Sequence, residues 1–449
     1  MSSKESIPIE NMISFFKGFK FTSVILIVLS FYFISCSTTG SNYNGQSGHE
    51  TVENQSGNNF TVPGQFVKIE KVHSLQLHRT GNPGSAPVLE LNSNQQLQLL
   101  FEILDFDSRQ FRISFTHHNP DWSRSSLPPE FFMDGPYTLF LDAGQVSSAQ
   151  RPDYRQFQFV FPDNRLHFTK SGNYLLRVED QDSGELMLSL PFFVTENRGS
   201  TRSIVEEQGV PRQNLRITHR PISWYTIPEI VEQPIFDLEF YFFQNHFWGR
   251  SVQADEVDFS DPHEVKFEVG NRDRFIGDYE FLTLSLTNLS QSNPQIFESQ
   301  PGQNPPVIYL SDDVSGFASS GGFVPGRFGR PNNNLDGQYA NVIFTFDPGT
   351  DIRRDQQIYL VGDFNHWEID STYRLIYNES VNRWQTNAII KEGTYNYKYI
   401  VLESGSVDDL YFDNLFSGTQ QVYHAFIYMR DSKEFYYRLL HINQFISGS

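Results

Sequence analysis

Apolar and polar residues alternate along much of the chain between about residues 66 and 194. Within residues 109–117, Phe111, Ile113 and Phe115 stand at every second position, and the same period recurs at Phe157, Phe159 and Phe161 and at Tyr174, Leu176 and Val178. A period of two is typical of half-buried antiparallel strands. Turn-forming residues separate these segments, for example at 82–84 and 171–173. The pattern predicts a β-sandwich.

Two later blocks repeat this organisation. The second block contains predicted strands at 236–243, 264–269 and 279–286, and the third contains them at 341–346, 358–364, 383–390 and 395–401. The apolar run 238–243 is nearly continuous, which indicates a strand covered on both faces. No segment carries a helical period beyond a few turns. The predicted fold class is therefore all-β, with tandem immunoglobulin-like β-sandwich domains.

The 449 residues suffice for about three domains of roughly 150 residues each. Shifts in composition divide the chain into six predicted segments. These are a signal peptide (1–35), a lipidated flexible tether (36–63), a first sandwich (64–196), a second sandwich (203–310), a Gly/Ser/Asn-rich loop or linker (311–337) and a third domain (338–445).

The N-terminal segment resembles a bacterial lipoprotein signal. Lys17 and Lys20 precede an apolar run over 24–34, which is too short to span a bilayer and matches the apolar region of a signal peptide. The run ends in Tyr-Phe-Ile-Ser-Cys, similar to a lipobox, so Cys36 is the predicted lipidation site. Residues 37–59 are rich in Ser, Gly and Asn and predict a flexible tether. An ordinary signal peptide with an incidental Cys36, or an uncleaved membrane anchor, are the alternatives.

Charge and cysteine content exclude several functions. The formal net charge is −19, which repels phosphate backbones and argues against nucleic-acid binding. Cys36 is the single cysteine of the sequence, so neither an intramolecular disulfide nor a cysteine-based zinc site can form.

The sequence offers no distinct catalytic or metal-binding motif. It contains neither a G-x-S-x-G nucleophile elbow nor a glycine-rich phosphate loop. His117 and His118 are strand neighbours that point to opposite faces, which predicts one buried and one exposed histidine rather than a metal site. The acidic pairs at 105–107 and 312–313 lack calcium-loop spacing and are expected in solvated loops. We therefore predict no catalytic residue, no metal and no cofactor, although glycosidase carboxylates stay open because their separation is spatial.

The third block carries the most specific local motif. Residues 359–367 read Tyr-Leu-Val-Gly-Asp-Phe-Asn-His-Trp, and residues 391–399 read Lys-Glu-Gly-Thr-Tyr-Asn-Tyr-Lys-Tyr. Both resemble the early-set immunoglobulin-like domains found beside starch and glycogen enzymes. In glycan-binding members of that group, two tryptophans and a lysine form the sugar platform, which implies Trp367, Trp384 and Lys398 here. The alternative is that both tryptophans are core or corner residues of the sandwich.

A wider resemblance emerges when the motifs are taken in order. The first block contains Phe-Thr-His-His-Asn-Pro-Asp-Trp at 115–122 and Thr-Lys-Ser-Gly-Asn-Tyr at 169–174, the second begins with Pro-Arg-Gln-Asn-Leu at 211–215, and the third has the Gly-Asp-Phe-Asn turn. This order resembles the plug protein family of the type IX secretion system, over about residues 64 to 440. One departure is His118, where family members often carry cysteine.

The resemblance implies a non-enzymatic protein that binds the periplasmic mouth of the giant outer-membrane translocon β-barrel and seals it when no cargo is engaged. The implied partners are that barrel and, through the N-terminal lipid, the membrane; the chain is expected to be monomeric within a hetero-complex. No acidic residue directly follows Cys36. In lipoproteins of the bacterial phylum whose proteins this chain resembles, an acidic patch soon after the lipidated cysteine marks export to the cell surface. Its absence here leads us to expect a lipid-anchored protein on the periplasmic face of the outer membrane. A glycan-binding lipoprotein is the alternative, and a cryptic hydrolase a third.

Overall fold

The computed structural model describes residues 60–104, 109–141, 143–149, 152–209, 216–270, 272–315, 335–413 and 419–448. The predicted signal peptide, Cys36 and the tether up to residue 59 lie outside these ranges. The described part of the chain is almost entirely β-strand, as predicted, with two one-turn α-helices, Pro129–Phe132 and Pro234–Asp237, and two 3-10 turns, Asp363–Asn365 and Ser371–Tyr373. Within these ranges, no helix is long and apolar enough to cross a membrane.

Twelve strands form the first sandwich: β1 (Phe66–Val67), β2 (Val72–Arg79), β3 (Val88–Glu90), β4 (Leu97–Ile103), β5 (Phe111–His118), β6 (Met133–Asp134), β7 (Leu139–Phe140), β8 (Gln145–Val146), β9 (Arg155–Phe161), β10 (His167–Phe168), β11 (Gly172–Asp180) and β12 (Leu186–Thr195). Sheet A has the order β1-β12-β11-β5-β7, with β3 parallel to β12, and sheet B has the order β2-β4-β9-β8. The alternating residues predicted to face the core do so: the rings of Phe111 and Phe101 lie 5.4 Å apart between the two sheets.

Seven strands follow: β13 (Ser200–Gln208), β14 (Thr218–Thr226), β15 (Leu238–Gln244), β16 (Val252–Gln253), β17 (Glu256–Asp258), β18 (Glu264–Glu268) and β19 (Phe275–Ile276). Sheet C has the order β13-β14-β18-β17. It packs against β15, where Phe240 stacks on Phe267 with ring centroids 4.2 Å apart.

The third sandwich contains ten strands: β20 (Leu282–Ser285), β21 (Ile296–Gln300), β22 (Val307–Leu310), β23 (Asp313–Val314), β24 (Tyr339–Asp347), β25 (Gln356–Gly362), β26 (Ile376–Asn378), β27 (Arg383–Lys391), β28 (Thr394–Glu403) and β29 (Ser406–Asp408). Sheet E has the order β20-β28-β25, and sheet F has the order β21-β22-β24-β27-β26. Their inner faces meet where Phe346 stacks on Tyr399 with ring centroids 4.1 Å apart.

The last two strands, β30 (Val422–Asp431) and β31 (Tyr436–Ile446), return to the second sandwich. β30 pairs with β15 along its length, which gives sheet D the order β16-β15-β30-β31. The sheets therefore group the chain differently from the predicted boundaries 203–310 and 338–445. The C-terminal strands belong to the second sandwich, and β20–β23 belong to the third, because strand pairing follows long-range register rather than chain order.

Sheet D is covered on both faces, as the apolar run 238–243 predicts. Phe240 and Phe242 face sheet C, whereas Phe243 is buried against the outer face of sheet A. On that side the ring of Phe426 in β30 lies 4.8 Å from the ring of Phe193 in β12. The first and second sandwiches thus share an apolar interface.

The folded body begins earlier than the predicted boundary at residue 64. Phe60 and Val62 are buried, at 5% and 2% exposure. The Phe60 ring packs 4.9 Å from Phe247 of the second sandwich and 5.5 Å from Trp367 of the third. Residues 60–63 are therefore part of the body, because Phe60 fills the junction of those two sandwiches.

Candidate functional site

The Thr-Lys-Ser-Gly-Asn-Tyr motif lies at the start of β11, against His117 of β5. Gly172 has a φ of +141°, a conformation that side chains rarely adopt. A Cβ atom at this position would lie 2.4 Å from Nε2 of His117. That ring is fixed in turn, because Nε2 lies 3.0 Å from the carbonyl oxygen of Ser171 and Nδ1 lies 2.9 Å from Oγ of Ser125. Glycine is required here because the backbone conformation disfavours a side chain and because the His117 ring leaves no space for a Cβ atom.

The same motif joins the first sandwich to the C-terminal strands. Oγ of Ser171 accepts a hydrogen bond from the backbone N–H of Leu439 at 3.1 Å. The hydroxyl of Tyr428 donates to Oδ1 of Asn173 at 2.7 Å. Both Ser171 and Asn173 are fully buried. The motif therefore fixes how the first sandwich is placed on sheet D.

A bidentate ion pair reinforces this joint. Nε of Arg438 donates to Oε1 of Glu196 at 2.7 Å, and the second guanidinium contact, to Oε2, measures 2.6 Å. The Glu196 side chain is 5% exposed and that of Arg438 is 18% exposed. The backbone N–H of Glu196 also donates to the carbonyl of Leu439 at 2.9 Å. Planar, paired contacts of this kind hold orientation as well as distance.

His117 and His118 are both buried, so the prediction of one exposed histidine was wrong. The outer face of sheet A is covered by sheet D, and His118 lies there with Nδ1 2.8 Å from the carbonyl oxygen of Trp122. Burial lowers the pKa of His117 to about 4, which keeps this imidazole neutral at physiological pH. Among the described residues, no group of three or more His, Asp or Glu side chains is placed to hold a metal ion.

A second joint connects the first sandwich to the third. Glu102 of β4 is fully buried, and its Oε1 accepts hydrogen bonds from Nζ of Lys391 at 2.6 Å and from Nε2 of Gln156 at 2.8 Å. The hydroxyl of Tyr339 donates to its Oε2. The Lys391 ammonium also lies over the ring of Tyr154, 4.4 Å from its centroid. A buried carboxylate is thus satisfied by groups from both sandwiches.

The Gly-Asp-Phe-Asn turn is a third structural device. Oδ1 of Asn365 accepts from the backbone N–H of Gly362 at 2.8 Å, which closes the turn. Oδ2 of Asp363 accepts from the backbone N–H of Asn396 at 2.6 Å and so ties the turn to β28. Oδ1 of Asp363 accepts from Nε1 of Trp367 at 3.1 Å. Trp367 is thereby oriented into the junction where Phe60 and Phe247 pack.

The structure brings two of the three candidate sugar-binding residues together, but inside the protein. Trp367 is 8% exposed and Lys398 is 4% exposed, and both contact the ring of Phe281. Nζ of Lys398 donates to Asp413 at 2.6 Å. Burial lowers the pKa of Lys398 to about 8, against the opposing effect of Asp413. Trp384 lies on the other sheet of this sandwich, beside Tyr377.

Asp313 differs from the expectation of a solvated loop, whereas Asp312 is exposed as expected. Oδ2 of Asp313 accepts from the hydroxyls of Tyr397 at 2.8 Å and Tyr399 at 2.7 Å, and burial raises the pKa of this carboxyl. Asp312 pairs with Arg383 at 3.0 Å. The pair at 105–107 lies outside the described residues.

The comparisons with known proteins identify the first sandwich. Residues 72–196 match the sequence profile described as type 9 secretion system plug protein, first domain. The matched segment runs from the first residue of β2 to the residue after β12, so it coincides with most of this sandwich. Residues 72–196 belong to this plug domain family. No curated protein sequence matches the chain.

One solved structure shares the fold of most of the chain. A hypothetical protein from Parabacteroides merdae superposes with a TM-score of 0.76 at 18% identity, covering 85% of this chain and 99% of its own. At that identity the similarity concerns the fold alone. The C-terminal domain of Streptococcus agalactiae BspA aligns over 82% of this chain and 98% of its own at 6% identity, with a TM-score of only 0.17.

Sequence reasoning missed the ion pairs that hold the plug domain in place. Glu102 interrupts the apolar run of β4, Leu-Gln-Leu-Leu-Phe-Glu-Ile, and a carboxylate at such a position signals a buried partner. Lys391 follows Ile389 and Ile390 at the end of β27 and is itself buried. The identity of each partner could not be read locally, because 289 residues separate the two.

Proposed function

We propose that this protein is a non-enzymatic plug subunit that binds the periplasmic mouth of the type IX secretion outer-membrane translocon barrel and seals it when no cargo is engaged. The observation that carries the proposal is the match of residues 72–196 to the plug protein first domain. The match covers one sandwich, and the order of the remaining motifs extends the resemblance over the rest of the chain.

Rigid packing of the three sandwiches supports this role. A plug must keep its shape against a pore, and here buried polar contacts join the sandwiches instead of flexible linkers. Glu102–Lys391 and Glu196–Arg438 are both ion pairs with side chains less than one-fifth exposed. A shift of one sandwich that leaves either charge buried without its partner would cost several kcal/mol, roughly 3–5 per pair, so the pairs oppose misplacement of the sandwiches. We therefore expect the described residues to act as one rigid body rather than as independently moving domains.

Lipidation at Cys36 is part of the proposal. The intervening residues 37–59 would then serve as the tether between the outer membrane and Phe60. Anchoring on the periplasmic face raises the effective concentration of the plug near the barrel, so that a modest contact suffices for sealing. Substituting Cys36 with Ser is expected to release the protein from the membrane fraction.

The burial of Trp367 and Lys398 weighs against the glycan-binding alternative. Sugar stacking needs an open aromatic face, whereas the Trp367 indole packs 5.0 Å from the ring of Phe247 and 5.4 Å from that of Phe281. Trp384 lies on a different sheet, so the three do not form a common platform.

Outer-membrane permeability tests the sealing role. A strain that lacks the gene is expected to admit a large antibiotic or a fluorescent dye that wild-type cells exclude, with the barrel itself still present. Complementation with the full chain should restore exclusion. Unchanged permeability in the deletion strain, with the barrel present and assembled, would remove the sealing role.

A further inference from the structure

Four large apolar side chains project into solvent from three separate segments. Phe131 is 58% exposed, Ile235 64%, Phe236 78% and Phe435 79%. They belong to the helix Pro129–Phe132, the helix Pro234–Asp237 and the turn between β30 and β31. We call these four residues the aromatic patch. Single exposed apolar side chains are normal on a protein surface, whereas a group of them marks an interaction site. Whether these four residues lie close together is therefore the deciding question.

Contacts of their chain neighbours place Phe131 and Phe435 near each other. The ring of His117 lies 5.8 Å from the rings of both Phe132 and Tyr436, the chain neighbours of the two patch residues. The hydroxyl of Thr169 donates to the carbonyl of Phe131 at 2.9 Å, and the next residue, Lys170, forms an ion pair with Glu434.

Further contacts add the second helix. Lys433 pairs with Glu232 at 3.2 Å, immediately before the helix that carries Ile235 and Phe236. Leu238, which follows that helix, pairs with Met429 near the end of β30. The helix and the β30–β31 turn therefore occupy the same end of sheet D. Segments of the first and second sandwiches that carry the four exposed side chains thus lie side by side at this end.

The charges around the aromatic patch select the kind of partner. The charged residues next to the patch in the chain, or ion-paired with those, include both signs, and the acids are the more numerous: Lys170, Arg430, Lys433, Glu130, Glu232, Asp237, Asp431 and Glu434. Insertion into an anionic lipid surface is favoured by an excess of Lys and Arg, which this rim lacks. An apolar centre with a rim of both signs is the anatomy of a protein–protein interface, in which aromatic side chains are the usual anchors.

We propose that the aromatic patch is the docking surface for a protein partner whose opposing face offers apolar pockets to Phe131, Phe236 and Phe435. The inference rests on the proposed function for the partner's identity, which is then the translocon barrel. The patch contains residues of both the plug domain and the second sandwich. The partner therefore binds only when the two sandwiches are correctly placed relative to each other.

Site-specific photo-cross-linking in intact cells tests the inference. A photoreactive phenylalanine analogue replaces Phe236 in the full chain, and the matched control carries it at Phe297, which is 74% exposed on β21 of the third sandwich. A triple variant (Phe131→Ser, Phe236→Ser, Phe435→Asn) is compared with Phe297→Ser for the amount of barrel recovered. Thermal unfolding of both variants checks that the body is intact, which is expected because the substituted side chains are exposed.

The inference predicts a cross-link from position 236 to the barrel, none from position 297, and at least about a tenfold loss of barrel in the triple variant. If wild type and triple variant recover equal amounts of barrel and position 236 stays unlinked, the patch inference is overturned while the plug function stands. If wild type recovers no barrel, the plug function fails. The patch then survives only if position 236 cross-links one other identified protein that the triple variant loses; cross-links to lipid, or none, overturn it.

Discussion

The carboxylate of Glu102 and the ammonium of Lys391 form a buried ion pair, 2.6 Å long, that joins the first sandwich to the third. Glu102 lies in the largely apolar strand β4, and Lys391 follows the buried Ile390 at the end of β27. The pair therefore helps to specify which surfaces meet, because each buried charge is satisfied across the joint.

Removing one member of this pair should be strongly destabilising. We expect Lys391→Met to lower the free energy of unfolding by about 3–5 kcal/mol, since Glu102 is left buried and uncompensated. The double variant with Glu102→Gln should recover a large part of that loss, because no unpaired charge remains. Urea denaturation of the two variants measures both. Equal stability of single and double variants would contradict a coupled pair.

Loss of the Glu196–Arg438 pair should loosen the plug domain from sheet D. We expect Arg438→Ala to cost about 2 kcal/mol, less than the Glu102 pair, because the arginine remains partly solvated. Limited proteolysis should detect earlier cleavage near Glu196. Arg165 provides the control: it also pairs with an aspartate, Asp163, but is 66% exposed, so Arg165→Ala should change stability by less than about 0.5 kcal/mol. Similar effects at both arginines would argue against a joint.

Gly172→Ala should destabilise the protein by about 2–4 kcal/mol, because the backbone conformation and the His117 ring both oppose a side chain. Gly184 is a matched control with a φ of +71° and open space around it. Its replacement by Ala is expected to cost only about 1 kcal/mol. Thermal melts of the two variants measure the additional cost at Gly172, which combines its less accessible φ with the contact to His117. Equal losses would mean that neither adds to the ordinary cost of a positive φ.

Acidification should weaken the fold through its buried histidines. The pKa of His117 is about 4 in the folded state, below the ordinary value of 6.5, so the unfolded state binds more protons between these values. The stability that neutral His117 contributes is complete above pH 6.5 and is lost as the pH falls toward 4, by about 3 kcal/mol in all. In His117→Gln, the unfolding free energy should depend less steeply on pH between 4 and 6.5. The decrease in slope corresponds to at most one bound proton, about 1.4 kcal/mol per pH unit. An unchanged slope would show that His117 does not titrate on unfolding.

Trp367→Ala distinguishes a core residue from a sugar-binding one. Because the indole fills the junction between sandwiches, we expect a loss of about 3–5 kcal/mol of stability. Binding titrations with α-glucans should be flat for both the wild-type protein and the variant. Saturable wild-type binding that Trp367→Ala abolishes, at temperatures where the variant is folded, would restore the glycan alternative.

The sequence predicted individual strands better than their partners. Positions such as Phe111 and Tyr174 follow a period of two and are fully buried, because the pleat alone decides which face they occupy. The return of β30 to β15 had no local signal, since these segments pair across almost 180 residues. Domain boundaries drawn from composition therefore placed the C-terminal strands in the third sandwich.

One surface that is buried by a neighbouring sandwich was misjudged. His118 lies on the face of sheet A that sheet D covers. One signal was available: β12 is apolar on both faces, with Phe192 turned toward the first core and Phe193 toward sheet D. A strand of this kind requires cover on both sides, which predicts a second layer over His118.

Recovery of partners from native membranes tests the central claim most directly. The tagged full-length chain is purified in mild detergent, and the proteins that accompany it are identified by mass spectrometry. The plug account predicts a giant outer-membrane β-barrel of the type IX secretion system in near-stoichiometric amount. A chain that emerges alone, or with a polysaccharide-uptake pair, would contradict it.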